Sequence, residues 1–282
     1  MHTSVAPLSK GMLVNGTLYI SGQVGCGADL DKDGNRVFSD DVKVQAEECL
    51  NNIGYVLKEA GMTFDNVVKI SIYLSNIEDW EKVNTVYEKY FKELFGFPAR
   101  TAIEAGKLPL HHEGNKVEMD GVAVIKTTEQ KLNNMSSTSS TSTHSFKQSI
   151  NPEAMHKSVA PLSKGMLAND TTLYISGQVG CGADLDKDEK RVFSDDVKVQ
   201  AEECLNNVGC VLREAGMTFD NIVKMSIYLS DIKDWEKVNV VYATYFKKPF
   251  PARTAIQAGK LPLHQEGNKV EMDGVAVRSL EF

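Results

Sequence analysis

The chain has 282 residues, of which 42% are hydrophobic and 24% are charged, and these fractions are ordinary for a globular protein of two average domains. The formal net charge is −7, so the chain as a whole has no general attraction to nucleic-acid phosphates or to an anionic membrane surface. No apolar run approaches the roughly 18 residues of a membrane span, so neither a nucleic acid nor a membrane is expected as a partner.

The N-terminus and the cysteines indicate where the protein resides. The first residues, MHTSVAPLSKGMLV, contain no long apolar stretch, so no secretory signal is expected. The five cysteines are an odd number, and none of them forms a CxxC pair. This pattern favours free thiols over a disulfide framework, and it predicts a cytoplasmic protein.

The chain is a tandem repeat. The segment MHTSVAPLSKG at the N-terminus returns as MHKSVAPLSKG from Met155, and FPARTAI occurs both at Phe97 and at Phe250. Each copy is long enough to be a complete fold. The sequence therefore predicts two domains, residues 1–126 and 155–282, joined by a Ser/Thr-rich linker at 127–154 that is expected to be disordered.

Each repeat is predicted to open with a β-hairpin. In the first repeat, strands are expected at 12–14 and 18–23, on either side of Asn15–Gly16, which is a strong hairpin signal. The second repeat has the tripeptide Asn169–Thr171 at this place, so its turn is expected to be one residue longer.

A long helix is predicted next, from about 40 to 60, with Ser39 as its N-cap. The stretch NVVKISIYL then alternates apolar and polar residues, so Val68 is expected on one dry strand face together with Ile70 and Ile72. The remaining predicted elements are a second helix at about 79–91 and strands at 100–105 and 116–124.

The resulting order, ββαβαββ, predicts an α+β unit with a mixed sheet and two helices on one face. Two helices cover only that face, so something else must bury the opposite one. An oligomer interface is the natural solution for a unit of this size.

One arginine in each repeat opens a strand that is otherwise apolar: Arg100 in the first and Arg253 in the second. A buried guanidinium needs an anionic partner, because an unpaired buried charge is costly. The residues alone leave two partners open, an internal carboxylate such as Glu118, which they favour, or the carboxylate of a ligand. Glu118 and its counterpart Glu271 are in turn either solvated strand carboxylates or general acid–base groups.

Three other motifs do not match the phosphate, calcium or metal sites that they first suggest. The glycine-rich turn YISGQVGCG lacks the lysine and the helix of a phosphate loop. The acidic stretch DLDKDGNRVFSD ends in Asp40 where a calcium loop has glutamate, and a strand precedes it instead of a helix. The pair of histidines in LPLHHEG becomes LPLHQEG in the second repeat, so no metal site is expected.

Five segments in this order resemble the Rid family, the reactive-intermediate deaminases once grouped under the YjgF name: YISGQVG, QAEECLNNIGYVLKEAGMTFDNVVKISIYL, WEKVNTVYEKYF, FPART and KVEMDGVAV. The resemblance covers each repeat almost end to end. It implies a chorismate-mutase-like fold whose units pack in threes with their sheets inside, and active sites in the clefts between units. It also implies hydrolysis of enamines and imines such as 2-aminoacrylate to 2-keto acids and ammonia, with no cofactor.

The resemblance further implies roles for particular residues. Arg100 and Arg253 are expected to hold the substrate carboxylate, and Glu118 and Glu271 to activate water. The other residues implied to contact the ligand are Gly22, Asn84, Ala102, Gly177, Asn239 and Ala255.

The sequence departs from the family pattern at Leu8 and Leu162, where the family has a tyrosine. This departure keeps open an alternative function, a non-catalytic protein that binds small carboxylates or keto acids. A ribonuclease or translation inhibitor is less favoured because the charge balance is acidic. Three chains could form two stacked rings of three units, or the two units of one chain could share a ring.

Overall fold

The computed structural model describes residues 8–27, 29–91, 96–125, 146–182, 184–188 and 190–278. It consists of two sheet-and-helix units in tandem, called here the first unit (8–125) and the second unit (146–278). The predicted order ββαβαββ is confirmed in both.

The first unit is a five-stranded mixed sheet with the strand order β1-β2-β5-β3-β4, in which β3 and β4 are parallel and the other pairs are antiparallel. Its elements are β1 Gly11–Val14, β2 Thr17–Val24, α1 Val42–Glu59, β3 Val67–Leu74, α2 Trp80–Tyr87, β4 Ala99–Glu104 and β5 Val117–Val124.

The second unit repeats this plan and adds one strand at its edge. Its elements are β6 Lys147–Ile150, β7 Gly165–Ala168, β8 Thr172–Val179, α3 Val197–Glu214, β9 Ile222–Leu229, α4 Trp235–Tyr245, β10 Ala252–Gln257 and β11 Val270–Val277. The sheet order is β10-β9-β11-β8-β7-β6.

The added strand β6 lies inside the segment 127–154 that was expected to be a disordered linker. It pairs antiparallel with β7, and the Lys147 ammonium donates to the Val67 carbonyl oxygen of the first unit at 3.0 Å. This end of the expected linker is therefore folded. Residues 127–145 of the expected linker lie outside the described residues.

The hairpin turns agree with the sequence prediction. Asn15 and Gly16 both have positive φ angles, 48° and 78°, as a two-residue hairpin turn with right-handed strand twist requires. In the second unit Asn169 and Asp170 are left-handed, and the Thr171 N–H closes the longer turn on the Ala168 carbonyl oxygen at 3.0 Å.

Two local predictions were wrong. The N-cap of α1 is Asp41, whose carboxylate accepts from the Lys43 N–H at 2.9 Å, whereas the Ser39 hydroxyl accepts from the Asp41 N–H just before the helix. Val68 does not share a face with Ile70, because the pairing of β3 with β5 shifts register between Val67 and Lys69.

Each unit has its own core between helices and sheet, and a separate cluster joins the units. In the first unit α1 packs Ala46, Cys49 and Leu50 against β2 and β5. The opposite faces of the two sheets meet through a cluster that contains Val68, Ala99, Val124, Met166, Ala168 and Tyr174. The face left bare by the helices is thus buried, in part, by the other unit of the same chain.

All five cysteines are described, and all five are free thiols, as predicted. Within the described part of the chain, no helix combines the length and the apolar character that crossing a bilayer demands.

Candidate active site between the two units

Strand β4 of the first unit lies against β8 and β11 of the second, and this contact positions Arg100. The Arg100 N–H donates to the Ser176 hydroxyl at 2.8 Å. The neighbouring Thr101 hydroxyl donates to the Asp273 carboxylate at 2.7 Å, and the Lys69 ammonium pairs with the same carboxylate at 3.2 Å. Backbone and side-chain contacts therefore hold β4 in a fixed place on the second unit.

The Arg100 side chain is 2% exposed and sits in a cradle of the first unit. Its Nη1 donates to Asn84 Oδ1 at 2.7 Å, and its Cζ lies 5.0 Å from the Tyr87 ring centre and 5.7 Å from that of Trp80. Its Nε has no hydrogen-bond partner, and no carboxylate of the described residues forms an ion pair with it. Among the described residues, Arg100 therefore forms no ion pair with Glu118, which was one of the two partners that the sequence analysis considered.

A glutamate of the other unit acts electrostatically on this arginine. Glu271 is 3% exposed and packs so closely over Gly177 that a Cβ there would lie 1.7 Å from the Glu271 Oε1. Burial, and then the charge of Asp273, raises the pKa of Glu271 to about 8, although the cations Arg100 and Lys69 act in the opposite direction. Its Oε2 has no hydrogen-bond partner. Because its pKa is about 8, Glu271 is a buried acid that holds a proton at neutral pH.

These groups line one cleft between the units, with an open space of about 520 Å³ including its mouth. Of the residues predicted to form the site, Arg100, Ala102, Gly177 and Glu271 face this cleft. Asn84 lies behind Arg100 and orients the guanidinium. Arg100 and Glu271 are not in salt-bridge contact, although each shifts the pKa of the other. The cleft can thus present a free cation and a buried acid to one small ligand.

The equivalent groups of the second unit lie on an open surface. Arg253 repeats the cradle, donating to Asn239 Oδ1 at 2.7 Å with its Cζ 4.8 Å from the Tyr242 ring centre, but its side chain is exposed. Ala255, two residues on in β10, is only half-buried. Arg253 is not among the residues that line the cleft between the units.

The equivalent glutamate of the first unit is open as well. Glu118 packs over Gly22 as its counterpart does, since a Cβ on Gly22 would lie 1.9 Å from the Glu118 Oε1. It is only half-buried, and burial followed by the charge of Asp120 raises its pKa. The described residues therefore form one assembled cleft and two separate half-sites, one on each unit.

The sequence prediction missed several residues that line the cleft. Trp80 comes from the first unit, and His156, Lys164 and Arg191 come from the second. The lysine of LSKG and the tryptophan of DWEKVN recur in both repeats, which was a usable signal. Leu162, where the family tyrosine was expected, also faces the cleft, so no phenol is available at this position.

A comparison with protein-family models identifies the chain. The model described as Endoribonuclease L-PSP matches residues 2–125 and 152–278, one match for each unit. The chain belongs to this family. Its curated relatives include proteins named 2-iminobutanoate/2-iminopropanoate deaminase and RutC family protein, so the predicted membership of the Rid family is confirmed.

Individual members of the Endoribonuclease L-PSP family align with one unit at a time. A Homo sapiens protein named 2-iminobutanoate/2-iminopropanoate deaminase is 39% identical over 121 residues, covering 43% of this chain and 82% of its own. The Bos taurus protein of the same name is 40% identical with the same coverage. A solved structure of a Rid-family protein of unknown function from Yersinia pestis is 32% identical, with a TM-score of 0.42, and covers 47% of this chain and 99% of that one.

Proposed function

We propose that the cleft between the two units hydrolyses small 2-imino acids, and the enamines in equilibrium with them, to 2-keto acids and ammonia. The observation that carries this proposal is that a guanidinium and a protonated carboxyl group, neither of them in an ion pair, line one cleft. The names of the human and bovine relatives support the same class of substrate.

Arg100 binds the substrate carboxylate in this proposal. Its Nε is without a partner, and a carboxylate matches the planar fork of a guanidinium with two parallel hydrogen bonds. The rings of Tyr87 and Trp80 and the amide of Asn84 fix the guanidinium beforehand. The substrate is therefore held with its imine carbon next to the bound carboxylate.

Glu271 supplies the proton transfers. The protonated carboxyl donates to the imine nitrogen, and the resulting carboxylate accepts a proton from the water whose oxygen adds to the imine carbon. The carbon–nitrogen bond of this adduct then breaks. Glu271 passes its regained proton to the amino nitrogen, ammonia leaves with the electron pair of the broken bond, and the Glu271 carboxylate takes up the hydroxyl proton as the carbonyl forms. The net change is one imine and one water consumed for one keto acid and one ammonia released.

The test is a coupled assay in which a dehydratase generates 2-aminoacrylate and pyruvate formation is followed. The wild-type chain is expected to accelerate pyruvate release, and the double variant Arg100→Ala with Arg253→Ala is expected to abolish the acceleration while the fold is retained. A folded wild-type chain that gives no acceleration contradicts the deaminase. If that chain still binds 2-oxobutanoate, the alternative of a non-catalytic keto-acid-binding protein replaces it.

We further propose that a unit of a second copy of this chain completes the two open halves. The same side chain is covered in one unit and bare in the other: Tyr174 is 7% exposed and Tyr19 54%, and Met166 is 0% exposed and Met12 59%. The contact within the chain joins unlike faces of two like units, and such a head-to-tail contact continues until a ring closes. We expect a third unit to sit between Tyr19 and Arg253 and to close the ring. Three chains supply the units of two such rings when two chains each place both units in one ring and the third chain places one unit in each.

A further inference from the structure

The cleft contains a second cationic group that the proposed hydrolysis does not use. Lys164 and Arg191 both line it, from the segment before β7 and from the loop after β8. They are 7% and 8% exposed, so both charges are largely withdrawn from water. Two cations buried side by side repel each other, and they cost free energy unless an anion compensates them.

No such anion comes from the described residues. Neither Lys164 nor Arg191 forms an ion pair with a carboxylate there. The Lys164 ammonium lies 3.2 Å from His156 Nδ1, and Arg191 Nη2 donates to the Lys157 carbonyl oxygen at 2.7 Å, so both partners are uncharged acceptors. Arg191 Nη1 and His156 Nε2 are buried without any hydrogen-bond partner.

The charges of all the residues that line the cleft also favour an anionic ligand. Among the described lining residues Glu271 is the single carboxylate, and it holds a proton at neutral pH. Burial, and then the charge of Arg191, lowers the pKa of Lys164 to about 8, which leaves the ammonium mostly charged at pH 7. Burial lowers the pKa of His156 to about 3, so this ring is neutral. Three cations therefore face one neutral acid.

We infer that the cleft prefers substrates with two carboxylates, that is, 2-imino acids whose side chain ends in a second acid group, with Lys164 and Arg191 binding that second carboxylate. This inference rests on the proposed function, because Arg100 is taken to bind the carboxylate next to the imine. Arg191 Nη1 is a free donor for a charge-assisted hydrogen bond, and the apolar side chains of Leu162 and Val179 line the same cleft for the carbon chain between the two acid groups.

The decisive experiment compares two keto acids of equal length by isothermal titration of the full chain. These are 2-oxoglutarate, which has the second carboxylate, and 2-oxopentanoate, which does not. We expect 2-oxoglutarate to bind at least about tenfold more tightly, the low end of what a charge-assisted hydrogen bond contributes. The hydrolysis rates of 2-iminoglutarate and 2-iminopentanoate, generated in place by an amino-acid oxidase, are expected to show the same preference in kcat/KM.

Variants assign the preference to the two cations. Lys164→Gln and Arg191→Gln are each expected to bring the affinity ratio of the two keto acids close to one. Lys198→Gln removes the same charge from an exposed position of α3 that does not line the cleft, and it is expected to keep the ratio. Thermal unfolding checks that each variant is folded, and the comparison of ligands on the wild-type chain needs no variant at all.

The outcomes separate this inference from the function on which it rests. Equal affinities of the two keto acids, with normal turnover of 2-iminopentanoate, overturn the second carboxylate site and leave the deaminase standing. A preference that survives both Lys164→Gln and Arg191→Gln also overturns it. Absence of both binding and turnover overturns the deaminase and this inference together.

Discussion

Glu118 and Glu271 occupy the same position of two near-identical units, and their surroundings give them different acidities. Both pack over a glycine, but Glu271 is buried by the neighbouring unit and its pKa rises to about 8, whereas Glu118 stays half-buried. The chemistry proposed here therefore depends less on which residue is present than on what covers it.

The pKa of Glu271 predicts the pH dependence of the reaction. Below about 8 the carboxyl is protonated and can donate to the imine, and above this value it is ionised. We expect kcat/KM for 2-iminopropanoate to be level between about pH 6 and 7.5 and to fall about tenfold per pH unit above 8. Glu271→Gln should lower turnover by about 10²-fold or more and remove the decline. A kcat/KM that rises through pH 8 would show that the carboxylate is the starting form.

Gly177 is expected to tolerate no side chain. A Cβ at this position would lie 1.7 Å from the Glu271 Oε1, so Gly177→Ala must displace the carboxyl group. We expect a loss of turnover of at least about tenfold, since small misplacements of a catalytic group are costly. Gly106→Ala is the control, because a Cβ at this position would meet no atom within 4 Å. Equal losses in the two variants would argue against a special role of this cleft.

Several of the residues that line the cleft could be predicted from the sequence. Which glutamate faces which arginine could not be predicted. Arg100, Ala102, Gly177 and Glu271 were all predicted to contact the ligand, and all four line the cleft. The repeats carry the same residues, so the sequence gives no means of telling whether Arg100 faces Glu118 or Glu271. That choice is made by the packing of one unit on the other.

At the scale of the elements, strand β4 positions Arg100 in the cleft. It is parallel to β3 in its own sheet and lies against β8 of the other unit, where the Arg100 N–H meets the Ser176 hydroxyl. Asp273 of β11 anchors this contact by accepting from the Thr101 and Tyr228 hydroxyls and pairing with Lys69. A strand held at both backbone and side chain keeps the arginine in place without a ligand.

Removing this anchor should destabilise the chain. Asp273→Ala leaves the Lys69 ammonium buried without its partner, and we expect the free energy of unfolding to fall by about 2–4 kcal/mol. Asp120→Ala, the equivalent change in the first unit, removes the hydrogen bond from the Tyr73 hydroxyl and should cost about 1 kcal/mol. Denaturant unfolding measures both. A smaller loss for Asp273→Ala than for Asp120→Ala would refute the anchoring role.

Local signals predicted most elements, and each miss has a physical cause. Asn15–Gly16 fixed its hairpin because both residues accept positive φ. The cap of α1 was misplaced by two residues because Ser39 and Asp41 are both good capping residues. The bulge at Val68 and the strand Lys147–Ile150 depend on pairing with distant strands, which an alternation of polar and apolar residues does not report.

At the scale of the molecule, we propose that the chain is part of a ring that further units complete. The faces that join the units are repeated on its outer sides, where Tyr19 and Arg253 are exposed. Exposed apolar side chains on a sheet face favour association, and the covered copy of the same face shows which surface fits it.

The mass of the protein in solution tests this closure. We expect light scattering to give about three times the 31.1 kDa of one chain. Tyr19→Glu places a charge on the open face and should shift the mass to that of a single chain. Tyr55→Glu makes the same change at an equally exposed site on the outer side of α1 and should leave the assembly intact. A wild-type chain that stays monomeric at high concentration would refute the ring.

The central claim is that the cleft between the units holds a small acid against Arg100, next to Glu271. A crystal structure of the chain with the product 2-oxobutanoate tests it most directly. We expect the ligand carboxylate on the Arg100 guanidinium and its keto carbon facing the Glu271 carboxyl group. An empty cleft in which the Arg100 guanidinium has closed onto Glu271 as an ion pair would contradict it.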